Sequence, residues 1–429
     1  MKRYFSNAAW LFFERAFASF LSFCVGVYVI RYLGPAKFGI LSYALSFVGL
    51  FSGIATLGLD SIVIRDLVQK EEETEELLGT AFMLKLAGAL FVLFALVLLT
   101  AITSHESSTN WVIFFIALAS VFQSLYVIDF YFQSKVLSKY PVWVRCFSSV
   151  TSSVFKGVLI WFHASLIWFA FAVTLESVFV ALGFVLIYTR QGLRMSWTFK
   201  KDRALRLLRD SWPLILSGVA IAIYMRIDQV LIKSLLDTNA VGIYAVAVNL
   251  TEIWYFIPTI IIGSLFPAII NAKKNNVKLY LNSLQRLHDI FFLIAFVIAL
   301  AVSLCSGKII DFLFGSNFTA AKTPLVIYIW ATVFVFQGHI RGHFLIIENK
   351  QQLGLWFRIA VIITSVALNL LFIPRYGIVG AAVATLLAYS LPIYCSSFFH
   401  PVLKMNVLMC LKSFILPLRL AYYGRNAVK

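Results

Sequence analysis

The residues of this chain best able to do chemistry are charges set inside apolar stretches. Arg15, Lys85, Lys156, Arg226 and Arg341 are the cations, and Glu176, Asp228 and Glu252 are the acids near mid-stretch. In hydrocarbon such a charge costs about 2.5 to 3.5 kcal/mol on insertion scales, so each should face a wet cavity or a partner. Arg226 lies deep in Ile223-Tyr224-Met225-Arg226-Ile227-Asp228-Gln229. Asp228 cannot satisfy it on a regular helix, because residues two apart point to nearly opposite sides. Each must look to another helix or to a ligand, and an interhelical salt bridge remains an equal reading. Arg15, about a turn inside its stretch, either snorkels to the headgroups or enters a cavity, and Lys85 is expected to reach the interface. A buried acid can take up and release a proton, whereas one paired with a cation is held charged. His339 and His343 are four apart and share a helix face, but no third ligand is in view, so no metal site is expected.

The elements that carry these charges follow from composition. Of 429 residues, 61% are hydrophobic and 13% charged, against about half and a quarter in soluble proteins. Only a polytopic membrane protein fits. Twelve stretches reach the length of about 20 residues that a crossing needs, near 9–30, 38–59, 79–102, 111–132, 142–162, 165–188, 212–233, 240–265, 289–310, 324–346, 355–373 and 377–399. The expected fold is all-α and polytopic, with about twelve transmembrane helices in two six-helix lobes around a central cavity. The N-terminal lobe is 1–188, a basic connector is 189–211, the C-terminal lobe is 212–399 and a basic tail is 400–429.

Lys and Arg between the stretches test this order, because cytoplasmic loops hold the excess. With the N-terminus inside, the inside regions carry 25 and the outside loops 6, so both termini are predicted to be cytoplasmic. The net charge of +17 is spread over short loops rather than one face, which speaks for topology and against nucleic acid. The connector is the most cationic run and reads as a hinge. The acidic run Glu71-Glu72-Glu73-Thr74-Glu75-Glu76 reads as a solvated loop face. The N-terminus opens like a signal peptide, but Glu14 and Arg15 interrupt it, and it is expected to stay as the first crossing. Cys24, Cys146, Cys305, Cys395 and Cys410 show neither a disulfide framework nor metal spacing. No loop can hold a catalytic domain and no GxxxxGK[ST] occurs. The chain is therefore expected to be a transporter rather than an enzyme, with no cofactor.

Gly34-Pro35 predicts a tight turn ending the first crossing, and Gly39 a close start for the second. Gly39-Ile40 and Gly242-Ile243 open the second and eighth stretches, with Ala44 and Ala247 in step, which suggests related lobes. Pro258, Pro267 and Pro392 are expected to kink or end helices. Trp10, Trp111, Trp143 and Trp356 fall near stretch ends, at interfacial depth.

The run Arg31-Tyr32-Leu33-Gly34-Pro35-Ala36-Lys37-Phe38-Gly39-Ile40-Leu41-Ser42-Tyr43-Ala44, followed by Leu57-Gly58-Leu59-Asp60-Ser61-Ile62-Val63-Ile64-Arg65-Asp66, closely resembles the opening of the Wzx-type O-antigen and polysaccharide flippases. Tyr376-Gly377-Ile378-Val379-Gly380-Ala381-Ala382 is similar to a recurring element of the same superfamily. The resemblance implies a bacterial inner-membrane flippase that moves an undecaprenyl-diphosphate-linked oligosaccharide from the cytoplasmic to the periplasmic leaflet. It implies membrane lipids, a coupling ion (proton or sodium) and other polysaccharide assembly proteins as partners. On that reading Arg226, Arg15, Arg341 and Lys156 attract the diphosphate, for which the planar guanidinium fork is well suited. Asp228, Glu176 and Glu252 are the candidates for ion coupling. A cation-coupled exporter of cationic drugs and a membrane glycan polymerase or ligase are the alternatives. The first would need acids to dominate the cavity, and the second usually carries a large outside loop, which this chain lacks.

Overall fold

The computed structural model describes residues 2–102, 107–348, 350–398 and 400–416. Every regular element among them is helical. The basic tail beyond 416 lies outside the described residues. The chain forms two compact units, Met1–Val230 and Leu231–Lys429. The first holds α1 (Lys2–Leu50), α2 (Ser52–Thr56), α3 (Asp60–Gln69), α4 (Thr74–Ile102), α5 (Ser107–Gln123), α6 (Val127–Ser134), α7 (Lys139–Trp161), α8 (Leu166–Arg190) and most of α9 (Lys201–Leu235). The second holds α10 (Thr238–Glu252), α11 (Phe256–Asn275), α12 (Val277–Leu313), α13 (Lys322–Tyr328), α14 (Ala331–Ile347), α15 (Gln351–Cys395) and α16 (Pro401–Phe414).

Eight helices are long and apolar enough to cross a membrane among the described residues, nine when Ser316–Tyr328 and Ala331–Ile347, bent by 44°, count as one. Two of these, Ala9–Leu50 and Gln352–Cys395, run for 42 and 44 residues, about twice what one crossing needs. Both are broken midway, at Gly34 (φ 70°, ψ 174°) and Gly377 (φ 59°, ψ −141°). A side chain at such angles is strained by about 1–3 kcal/mol, which glycine escapes. Pro35 then fits the first turn of the new helix, where its missing N–H is not needed. Each long helix is thus long enough for two crossings. α7, 23 residues carrying Arg145 and Lys156, lies at the fifth expected position but is not among the helices apolar enough to cross. The second unit makes its first corner differently: Asp237 Oδ1 accepts from the Ala240 N–H at 2.7 Å and caps α10. Similar residues at the starts of the second and eighth crossings therefore follow different turns.

In the first unit, Leu59, Ile62, Leu77, Val127, Phe132, Phe184 and Tyr188 form a core that joins α3, α4, α6 and α8. Leu207 of α9 is buried in the same core. In the second, Tyr280, Leu284, Phe291, Phe336, Ile340 and Phe344 join α12 and α14, with Leu403 and Met409 of α16 packed on them.

The boundary between the units falls inside α9 and not in the connector, because both the connector and the start of α9 are fastened to the first unit. Gly53 of α2 approaches Gly218 and Val219 of α9 so closely that a Cβ at 53 would lie 2.6 Å from the Val219 nitrogen. Ser46 Oγ donates to Gln229 Oε1 at 2.9 Å, both residues being buried.

Candidate functional site

Within the first unit, α2 to α7 line an open-mouthed cavity of about 440 Å³ with four charged residues in its wall: Asp60, Lys85, Asp129 and Arg145. Each has a structural reason to be there. Asp60 opens α3 one residue beyond the left-handed pair Leu57 and Gly58, with Leu59 in between. Lys85 sits eleven residues into α4, about 16 Å along its axis. Asp129 and Gln133 are four apart on α6 and share a face, and Arg145 projects from α7.

The charges are paired across helices. Lys85 Nζ donates to Asp60 Oδ1 at 2.9 Å and lies 4.7 Å from the Phe130 ring centroid. Arg145 Nη2 meets Asp129 Oδ2 at 2.5 Å, and Gln133 Nε2 donates to the same oxygen at 2.8 Å. Arg145 Nη1 reaches Glu14 Oε2 of α1 at 3.5 Å. Asp129 is buried, with 3% of its side chain exposed, whereas Arg145 is 29% exposed. Arg145 thus has one sealed acid and one alternative acid. Gln123, Ser120, Ser124 and Tyr126 add hydrogen-bonding groups to the wall.

Several sequence expectations change here. Lys85 does not reach an interface; it is buried and turned into the cavity, because Asp60 and Phe130 satisfy it there. Glu14, not Arg15, takes the inward place on α1, and Arg15 is exposed. Asp129 and Arg145 were not singled out by sequence. Asp129 sat inside an expected crossing, the signal that marks a functional acid, while Arg145 was counted with the loop cations although it lies six residues inside α7.

The other site candidates are dispersed. Lys156 Nζ lies 3.6 Å from Glu176 Oε2, and Ser149 Oγ donates to Glu176 Oε1 at 3.4 Å, so this cation and this acid form a pair between α7 and α8. Arg226 is half-buried on α9, two turns beyond the crossing with α2. Its stem passes Gly49, where a Cβ would lie 3.8 Å from its Cγ. Asp228 is buried and its Oδ1 accepts from the Gln229 N–H at 2.8 Å. Glu252 is half-buried at the end of α10 in the second unit. Arg341 is sealed inside that unit: it donates to Ser396 Oγ at 2.7 Å, the Ile393 carbonyl at 3.2 Å and Asn406 Oδ1 at 3.3 Å. Its guanidinium is 4.5 Å from the Phe357 centroid. These contacts tie α14 to α15 and α16. His343 Nδ1 lies 3.0 Å from the carbonyl oxygen of His339.

The connector and the acidic run are also joined, which corrects both expectations for them. Arg203 pairs with Glu73 and Glu76, Lys200 pairs with Glu76, and the Lys200 N–H donates to Thr80 Oγ1 at 3.2 Å. Gly79 allows the approach, since a Cβ there would lie 2.6 Å from the Thr198 carbonyl oxygen. Trp197 packs on Phe82 and Tyr188, with centroids 5.6 and 5.9 Å away. Charge counting along the chain treats acids and bases separately and therefore misses such a clasp.

The sequence pattern of the family described as polysaccharide biosynthesis protein matches residues 5–273. That is more than half of the chain, and the chain belongs to this family. The resemblance to the Wzx-type flippases holds: the chain is 22% identical to a Haloferax volcanii protein named "Probable low-salt glycan biosynthesis flippase Agl15", covering 89% of this chain and 80% of that one. A Shigella flexneri protein named as an O-antigen transporter is 21% identical over 88% of this chain and 93% of its own. The H. volcanii protein named "Probable flippase AglR" is 30% identical over 39% of this chain and 36% of its own length, so that match spans about a third of the relative. The fold resembles an inward-facing multidrug MATE transporter (TM-score 0.70, 13% identity, 96% of this chain and 95% of that one). It also resembles the lipid II flippase MurJ (TM-score 0.68, 16% identity, 98% and 93%). The chain is a multi-pass membrane transporter of the polysaccharide-flippase type.

Proposed function

We propose that this protein moves an undecaprenyl-diphosphate-linked oligosaccharide from the cytoplasmic to the periplasmic leaflet of a bacterial inner membrane, with both termini cytoplasmic, driven by a coupling ion. The relatives' names support the cargo class. The observation that carries the coupling is Arg145 set between Asp129 and Glu14. A proton taken up by the Asp129 carboxylate removes the charge that holds Arg145. The guanidinium, which keeps its own charge, is then released toward Glu14 or toward an anionic headgroup entering the cavity. Loss of the proton restores the first pair. Arg226 is the proposed contact for the diphosphate, because its planar fork meets two oxygens at once.

Arg341 donates only to uncharged acceptors inside the second unit, which fits a structural role, and Glu176, paired with Lys156 as Asp129 is with Arg145, stays a secondary candidate for coupling. Asp228 and Glu252 remain secondary candidates for coupling. The test is complementation of a flippase-deficient strain that has the matching glycan pathway, with surface glycan read by gel. Restored glycan is the expected result. A well-expressed protein that restores none in any matching pathway would overturn the assignment.

A further inference from the structure

The connector has two faces of different chemistry. On the inner face Lys200 and Arg203 are consumed by Glu73 and Glu76. On the outer face Arg190, Arg194, Lys201, Arg206 and Arg209 are exposed, with no ion pair among the described residues. Of the two acids in this segment, Asp210 is paired with Arg65 at 3.0 Å, leaving Asp202 to oppose five cations.

Interleaved with those cations are large apolar side chains that stand about half exposed. Met195 is 41% exposed, Phe199 52%, Leu205 58% and Trp212 57%. On α9 the spacing Lys201, Leu205, Arg209, Trp212 is four, four and three, which places them on one stripe. Ala204, Leu207 and Ser211 are buried on the opposite side. The helix then continues without a break into an apolar stretch long enough to cross a membrane, so a stripe at its start is expected at the border between water and lipid.

We infer that this outer face is a docking surface for the anionic phospholipid headgroups of the leaflet it borders. The cations complement lipid phosphates, and the apolar side chains and Trp212 enter the headgroup–acyl boundary beside them. A flat stripe of alternating cationic and apolar residues on a segment clasped to the membrane unit matches a lipid surface. The inference stands independently of the cargo, since it uses no residue of the cavity.

The test uses the full-length protein in phosphatidylcholine vesicles with and without phosphatidylglycerol. A nitroxide at Leu205→Cys, on a background lacking the native cysteines, reports collision with lipid-soluble oxygen and with a water-soluble relaxant. With phosphatidylglycerol present, oxygen access should dominate. In phosphatidylcholine alone, or after combined Arg194→Gln, Lys201→Gln, Arg206→Gln and Arg209→Gln, the label should move toward water. Equal depth in both lipids, or water exposure throughout, would overturn the inference, and shielding from both reagents would mean that protein covers the stripe instead. As a second measurement with the native cysteines kept, mass spectrometry of the intact protein should show phosphatidylglycerol retention falling by about tenfold or more in the fourfold variant. Lys308→Gln, exposed on the opposite predicted side, should retain the lipid, and equal retention in the two variants would contradict the assignment.

Discussion

Arg145 and Asp129 lie 2.5 Å apart in the first unit, and the two sides of that contact are unequal: the acid is sealed, while the cation is partly exposed and has Glu14 in reach. Removing the cation strands a buried carboxylate with Gln133. Removing the acid's charge strands nothing.

Arg145→Gln should therefore lower the amount and thermal stability of the protein by roughly 3 kcal/mol, the low end for breaking a buried pair. Asp129→Asn should cost under about 1 kcal/mol, because the amide still accepts and donates there. Thermal unfolding in detergent of the two variants checks the order. Equal losses would contradict it.

Lys85 and Asp60 should show the same logic in reverse. The ammonium is the buried partner and the acid is 55% exposed. Lys85→Met keeps the volume and removes the buried charge, so stability should change by less than about 1 kcal/mol. Asp60→Ala leaves the ammonium with only the Phe130 face and should cost about 1–3 kcal/mol.

Gly34→Ala should destabilise by about 1–3 kcal/mol through the backbone angles alone, since no neighbouring atom would touch the new Cβ. Gly26→Ala, also open but inside a helix, should be neutral or stabilising by up to about 1 kcal/mol. Similar unfolding temperatures for both would contradict the break at Gly34.

The helices and the sharp turn at Gly34-Pro35 were legible because apolar run length and Gly-Pro chemistry are local properties. The partners of the buried charges were not. Lys85 looked interfacial because its distance from the helix end could be counted but Asp60, 25 residues away, could not be placed beside it. Glu73 and Glu76 looked solvated because Arg203 is brought to them only by the fold. Asp129 was visible as an acid in an apolar stretch, and its significance comes from two partners on two helices.

The clasp has a defined pH window. The Arg203 guanidinium beside Glu73 holds that carboxyl below its ordinary range. With the folded value depressed, the contribution is present above the ordinary carboxylate range and is lost as pH falls through the depressed value. Proteolysis of residues 190–200 should therefore be flat from about pH 8 to about pH 5 and rise only below about pH 4. Glu73→Gln should raise cleavage at neutral pH and shrink the rise in acid to the part carried by Glu76, which Lys200 and Arg203 also hold below its ordinary range.

Arg226→Lys keeps the charge but loses the fork, so it should be partly active, and Arg226→Ala inactive, both at unaltered protein level. Surface glycan normalised to membrane protein is the readout. Normal glycan with Arg226→Ala would remove this residue from cargo binding.

The most direct measurement of the coupling is flipping by purified protein in vesicles loaded with the lipid-linked oligosaccharide. The fraction of sugar open to periodate is followed over time with and without an imposed pH gradient. The wild-type protein should flip faster with the gradient, and Asp129→Asn should fold normally yet show no acceleration. An Asp129→Asn protein that responds to the gradient as the wild type does would contradict the account.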